Sequence, residues 1–149
     1  MAGEVTHEVR VATFAELPSD TAYRLWALRS EVFVVEQDCP YLDLDGRDTE
    51  PLTRHLWVER GGEPVATLRL LDDGSRLRIG RVATREAHRG EGLAAALVER
   101  ALQVAGEREV ALDAQSHLVD WYLRFGFEPS GRGFVEDGIP HTPMRRAGR

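Results

Sequence analysis

Arg89-Gly90-Glu91-Gly92-Leu93-Ala94 sets two glycines one residue apart directly before a run of helix formers. The first amides of a helix lack intrahelical partners and carry the positive end of its dipole, so an anion there is stabilised by up to ~2 kcal/mol. Glycine lets a phosphate approach the main chain with no Cβ in the way. Arg85, His88 and Arg89 add local positive charge to an otherwise acidic chain, net −6. Two other readings compete with pyrophosphate binding. One is a plain turn. The other is a dinucleotide fingerprint, because Gly90, Gly92 and Ala95 fit G-x-G-x-x-A with Asp113 about 20 residues on. Too little chain follows Asp113 to complete the parallel sheet that such a cofactor spans. A Walker loop is excluded, since no Gly-Lys-Ser/Thr follows.

Other side chains could move protons. Tyr122 lies on a short apolar helix, where a phenol with pKa near ~10 stays protonated at neutral pH and can still donate. Glu36 follows the first helix, and His141 sits in "EDGIPH"; an imidazole titrates near ~6.5, which suits a base. Gln115 ends a buried strand. Asp43, Asp45 and Asp48 in "DLDGRD" lack the spacing and closing Glu of a calcium loop, and no Cys/His pattern resembles a zinc site, so no metal is expected. An acidic loop could instead attract a cationic amine. Cys39 carries no mark of a nucleophile.

The elements that must position these residues follow from periodicity. "EVRVATF" alternates as a strand. After Pro18 a helix runs through "SDTAYRLWALRSEVFVVEQ", with Ser19 or Asp20 as N-cap and Leu25, Leu28, Val32 and Val35 on one face. An irregular loop, "DCPYLDLDGRDTEPLTR", leads to "HLWVER" and "EPVATLRLL", a hairpin closed by Gly61-Gly62. "RLRIGRVAT" is the third antiparallel strand. A helix spans about Glu91 to Ala105 with Leu93, Leu97 and Ala101 inward, and Gly106 ends it. "EVALDAQ" is a buried strand, Ser116 caps a helix carrying Leu118, Trp121, Tyr122 and Phe125 inward, and a hairpin around Asp137-Gly138 closes the chain. Trp26, Trp57 and Trp121 belong to the core or to a dimer interface. This order predicts an α/β or α+β sheet with one strand–helix–strand unit.

Composition bounds the rest. At 149 residues, 42% apolar and 30% charged, the chain reads as one globular domain over 1–149. A pI near 5.4 argues against a nucleic-acid binder. No signal-peptide core and no stretch of ~20 apolar residues is present. With a single cysteine, these features predict a cytoplasmic protein and no membrane partner.

Arg89-x-x-Gly92-x-Ala94 resembles the acyl-CoA signature (Arg/Gln-x-x-Gly-x-Gly/Ala) of the GNAT (Gcn5-related N-acetyltransferase) superfamily. "WYLRFGF" is similar to that family's "FYxxxGF", with Tyr122 at the tyrosine. "VFVVEQDCPY", "DGRD", "HL", "IGRV", "AQ" and "EDGIPH" resemble its ElaA-like branch, in order along nearly the whole chain. The resemblance implies the GNAT fold, a mixed, mostly antiparallel sheet of about six to seven strands flanked by helices, with a splayed central strand pair. It implies acetyl-CoA as co-substrate and a small amine or peptide amine as acceptor. Val82, Ala83 and Thr84 would lie beside the pantetheine; Arg89, Gly90, Glu91, Gly92, Leu93 and Ala94 would hold the pyrophosphate; Gln115 would orient the thioester or a water. Tyr122 would be the general acid. Relatives that carry a carboxylate base on the preceding strand differ from this chain, which has Ile79-Gly80-Arg81; Glu36, His141 or a water held by them remain as base. Homodimers are common in the family. Two alternatives share the fold: an acyl-homoserine-lactone synthase, which "RSEVFVVEQ" with Arg29, Phe33 and Glu36 distantly resembles, and a non-catalytic acyl-CoA-binding module.

Overall fold

A computed structural model describes residues 7–148. The first six residues, part of the stretch read as lacking a signal-peptide core, lie outside the described residues. Eight strands form one sheet in the order β1-β2-β3-β4-β5-β8-β6, with β7 also paired to β8. They are β1 (Arg10–Thr13), β2 (Arg54–Arg60), β3 (Glu63–Asp72), β4 (Leu77–Thr84), β5 (Val110–Gln115), β6 (Glu128–Pro129), β7 (Phe134–Glu136) and β8 (Ile139–Arg146). The helices are α1 (Ser19–Arg29), α2 (Leu93–Ala105) and α3 (Val119–Leu123). Strands beyond the six or seven expected are short pieces of two and three residues beside β8.

All pairs are antiparallel except β4 with β5, which the α2 crossover makes parallel. That pair touches only at Leu77↔Val110 and Arg78↔Ala111. Beyond these positions the strands diverge, while β5 continues on β8 as far as Gln115↔His141. A gap therefore opens in the middle of the sheet. On its other edge β4 has one residue more than β3 between Thr67↔Ala83 and Arg69↔Gly80. The extra residue is a bulge that holds Arg81 at φ 52 and re-aims its neighbours.

Both faces of β3 are covered. Leu68 and Leu70 join Leu56, Leu97, Val98 and Phe127 in the main core beneath α2, whereas Thr67 and Arg69 alternate onto the α1 face and are buried there. Ser19 is the first helical residue of α1 and Pro18 its N-cap, with no side-chain capping bond. A proline positioned so supplies extended φ/ψ at the helix entry, and the expected Ser19 or Asp20 cap is not formed. The helix then widens over Ser30–Glu36 into π turns, with Gln37 N–H bonding Val32 C=O at 3.2 Å. An extra residue per turn changes the phase. Leu25, Leu28 and Val32 stay buried, but Val35 rotates out to 73% exposure.

α2 begins at Leu93, two residues later than expected. The last helix is shorter too. Ser116 Oγ bonds Thr142 Oγ1 at 2.9 Å rather than capping it. Leu118, expected inward, is exposed at 37%, whereas Phe127, beyond the helix, is fully buried.

Candidate active site

At the N-terminus of α2 the conformation is set by Gly92, whose φ of 80 and ψ of 15 are left-handed. No side chain caps the helix, and its first intrahelical bond is Ala96 N–H to Gly92 C=O. The amides of Leu93, Ala94 and Ala95 are therefore without intrahelical partners. A Cβ on Gly92 would meet only His7 Nε2, at 3.9 Å. Glycine is needed here for its positive φ, not for room within the protein.

These amides open on a cleft of about 600 Å³. Every cofactor-side residue singled out from the sequence lines it except Glu91. The Glu91 carbonyl accepts from His7 Nε2 at 2.8 Å and its carboxylate faces His88 Nδ1 at 3.3 Å. Val82, Ala83 and Thr84 form one wall along the β4 edge that β5 has left, and Gln115 and Tyr122 form the opposite wall. Arg89 donates through Nε to the Thr84 carbonyl at 3.1 Å and pairs through Nη2 with Glu36. Arg85 turns away to Glu31 and Glu63. His88, His117, Trp121 and Arg124 also border the cleft, and sequence reasoning had given none of the last three a site role. Their only sequence signal is proximity to Gln115 and Tyr122.

A second chamber, of about 290 Å³, lies across the splay. It shares Gln37, Val82, Gln115, Leu118 and Tyr122 with the larger cleft. His141 is on this side, not with Glu36. Its Nδ1 is 2.8 Å from the Ile139 carbonyl. That oxygen can only accept, so Nδ1 carries a proton, and in the neutral ring the lone pair is on Nε2. The ring stacks on Phe134 at 5.5 Å with 13° between planes. Arg69, Arg78, Arg81, Asp113 and Glu136 complete the polar lining; Arg78 shares one face of β4 with Gly80, which also lines the chamber, an i, i+2 pattern visible in the sequence.

Tyr122 stands at the junction, 6% exposed. Burial pushes its phenol up to about 12. Trp121 and Phe127 pack edge-on against its ring.

The "DLDGRD" loop does something other than advertise negative charge. Arg29, 1% exposed, donates to Asp43 at 3.0 Å and to Asp48 at 2.7 and 3.1 Å. Arg69 holds Asp45 at 2.6 Å and Asp48 at 3.2 Å. Arg81 Nε lies 2.8 Å from Asp43 Oδ1 without hydrogen-bond alignment, and Nη2 donates to the Asp43 carbonyl. The acids are consumed in fixing the loop under α1, which also anchors the bulged strand. Cys39 is buried and donates to the Asp137 carbonyl at 3.4 Å.

A more open hollow of about 510 Å³ beside Phe125 and Gly126 lies away from the glycine loop. Among the described residues no helix is long and apolar enough to cross a membrane.

Comparison with known proteins agrees with this architecture. The Acetyltransferase (GNAT) domain family matches residues 29–147. The chain is 43% identical to a UPF0039 protein of Mycobacterium tuberculosis, across 97% of this chain and 96% of the relative. It is 42% identical to Protein ElaA of Escherichia coli over 89% of this chain and 91% of that one. The crystal structure of Escherichia coli ElaA superposes with a TM-score of 0.88 over 95% of this chain and 99% of that one. An acyl-CoA N-acyltransferase from Pseudomonas aeruginosa superposes with a TM-score of 0.89 at 43% identity, covering 94% and 99%.

Proposed function

The chain belongs to the GNAT acetyltransferase superfamily, in its ElaA-like branch, and from that premise we propose that residues 1–149 are one cytoplasmic catalytic domain. It moves the acetyl group of acetyl-CoA to the primary amine of a small molecule or peptide, by direct attack in a ternary complex. The observation that carries this reading is the junction: two cavities of different size meet beside the splayed strands, at Gln37, Val82, Gln115, Leu118 and Tyr122. A long thioester can lie in one and an amine can reach its carbonyl from the other.

The free amides of Leu93, Ala94 and Ala95 and the Arg89 guanidinium receive the pyrophosphate. The unpaired β4 edge at Val82, Ala83 and Thr84 offers main-chain partners to the pantetheine amides. Gln115, reaching both cavities, orients the thioester. His141 Nε2, with its tautomer held by Ile139, takes the proton that the amine loses, directly or through a water. Nitrogen attacks the thioester carbon, the tetrahedral oxyanion collapses, and the C–S bond breaks. Tyr122 donates a hydrogen bond to the departing thiolate and supplies its proton. Glu36, the other candidate base, faces Arg89 in the cofactor cleft and is separated from the chamber that His141 lines.

The test is a thiol-release screen with acetyl-CoA against polyamines, amino acids, aminoglycosides and peptide N-termini. The reading expects acetyl-CoA-dependent thiol from at least one amine, lost in His141→Gln. Tight acetyl-CoA binding with no release from any amine would make the protein a non-catalytic acyl-CoA module. Lactone formed from S-adenosylmethionine and an acyl donor would make it a synthase.

A further inference from the structure

The smaller chamber has a charge pattern that an amine alone does not use. Three of its lining residues are arginines, Arg69, Arg78 and Arg81, against two carboxylates, Asp113 and Glu136. The carboxylates that neutralise Arg69 and Arg81 lie on the 43–48 loop, outside the lining. Arg78 is paired with Asp113 at 3.2 Å and, outside the lining, with Asp73 at 3.6 Å. Glu136 has no ion-pair or hydrogen-bond partner among the described residues. So the chamber presents a wall of ion-paired guanidiniums on β3 and β4 and, among the described residues, one unpaired carboxylate on β7, lining the same chamber as His141.

Two details mark the arginine wall as more than a by-product of the loop network. Arg69 is 4% exposed, yet its Nε is buried with no hydrogen-bond partner, although Nη1 donates to Asp45 and Asp48 and Nη2 to Asp45. An unsatisfied donor in such a place is costly unless something else accepts from it. Gly80, its register partner on β4, also lines the chamber. Its φ is not positive, and a Cβ there would meet only Arg69 Nε at 3.9 Å, an ordinary contact. Neither backbone conformation nor packing requires glycine at position 80. Its missing side chain enlarges the chamber beside Arg69 and Arg78.

We propose that the acceptor is a small amino acid-like zwitterion, held with its carboxylate on the Arg69/Arg78 wall over Gly80 and its ammonium between Glu136 and His141 Nε2. This rests on the transferase reading above and specifies its substrate class. The 290 Å³ chamber suits one amino acid-sized molecule. A polyamine carries no acceptor for the unpartnered Arg69 Nε. Glu136 steers the ammonium inward, and His141 Nε2 takes its proton, leaving the neutral amine facing the junction at Gln115 and Tyr122.

The experiment measures thiol release from acetyl-CoA with each common L-amino acid beside its own decarboxylated amine. The expected result is at least one amino acid whose kcat/KM exceeds that of its decarboxylated partner by roughly 10- to 100-fold, the worth of a charge-assisted carboxylate contact. Arg78→Gln should bring that ratio close to one while the KM for acetyl-CoA stays unchanged. Gly80→Leu should raise the amino acid KM without moving the acetyl-CoA KM. Release that ignores the carboxylate, or a ratio untouched by Arg78→Gln, overturns the acceptor class and leaves the transferase reading standing. No release from any amine overturns both.

Discussion

Replacing Tyr122 by Phe removes one hydroxyl from the junction and keeps the ring that packs on Trp121 and Phe127. Because burial holds the phenol near about 12, and a free thiol lies near ~8.5, full proton transfer to the thiolate is uphill by about 3.5 pKa units, or about 4.8 kcal/mol. The hydroxyl thus assists mainly as a hydrogen-bond donor while sulfur charge develops, and its proton follows late. A donor to a charged acceptor contributes about 1.5–3 kcal/mol, which predicts a kcat loss of roughly 10- to 100-fold. This is well below the ~10⁴-fold ceiling of general acid catalysis. The KM for acetyl-CoA should hardly change. Since the phenol is raised and not lowered, its ionisation should remove no activity up to about pH 11. The assay is steady-state thiol release for wild type and Tyr122→Phe from pH 6 to 10. Equal turnover across that range would refute the role, and so would an alkaline fall in wild type that Tyr122→Phe abolishes.

Three further outcomes follow from the same geometry. Arg89 must exchange Glu36 for pyrophosphate, and both partners of that pair are partly exposed, so Glu36→Gln should tighten acetyl-CoA by no more than about 5-fold with kcat kept; a collapse of kcat would instead make Glu36 the base. Gly92→Val, a β-branched residue at φ 80, should cost at least ~1–2 kcal/mol and displace the α2 amides, weakening acetyl-CoA about 10-fold or more by calorimetry. Arg29→Met takes one of two arginine partners from each of the buried Asp43 and Asp48, a loss of about 3–5 kcal/mol and a Tm drop of roughly 6–20 °C. Burial works to raise the Asp48 carboxyl, but the Arg29 and Arg69 guanidiniums outweigh it and hold it below its ordinary range. Its stabilisation is thus complete above pH ~4 and lost as pH falls further; Arg29→Met should flatten that acid limb in denaturation curves at pH 3 to 6.

Local chemistry was readable in the sequence. Gly61-Gly62, Asp137-Gly138 and Gly106 form their turns because positive φ is a property of the residues themselves. The strand–helix–strand unit β4–α2–β5 followed from the period of its apolar residues, and the structure makes its strands parallel. What stayed hidden depends on partners far along the chain. Val35 leaves the core because the helix widens into π turns. "DLDGRD" looks like a lure for cations until Arg29, Arg69 and Arg81 fold onto it. Ser116 is a good capping residue, but Thr142 on β8 takes its hydroxyl. The larger cleft was legible because one contiguous loop and strand build most of it. The smaller chamber draws on β3, β4, β5, β7 and β8, so Arg69, Arg78 and Glu136 could be joined only once the register was known.

An α2 N-terminus that seats an acyl-CoA and not a dinucleotide is revealed by ligand-induced thermal stabilisation. A ligand at about 100 times its Kd adds about 2.7 kcal/mol. For a chain of this size that is a Tm rise of roughly 5–10 °C. Saturating acetyl-CoA should give that rise and equimolar NAD none. A rise with NAD and none with acetyl-CoA would contradict the account.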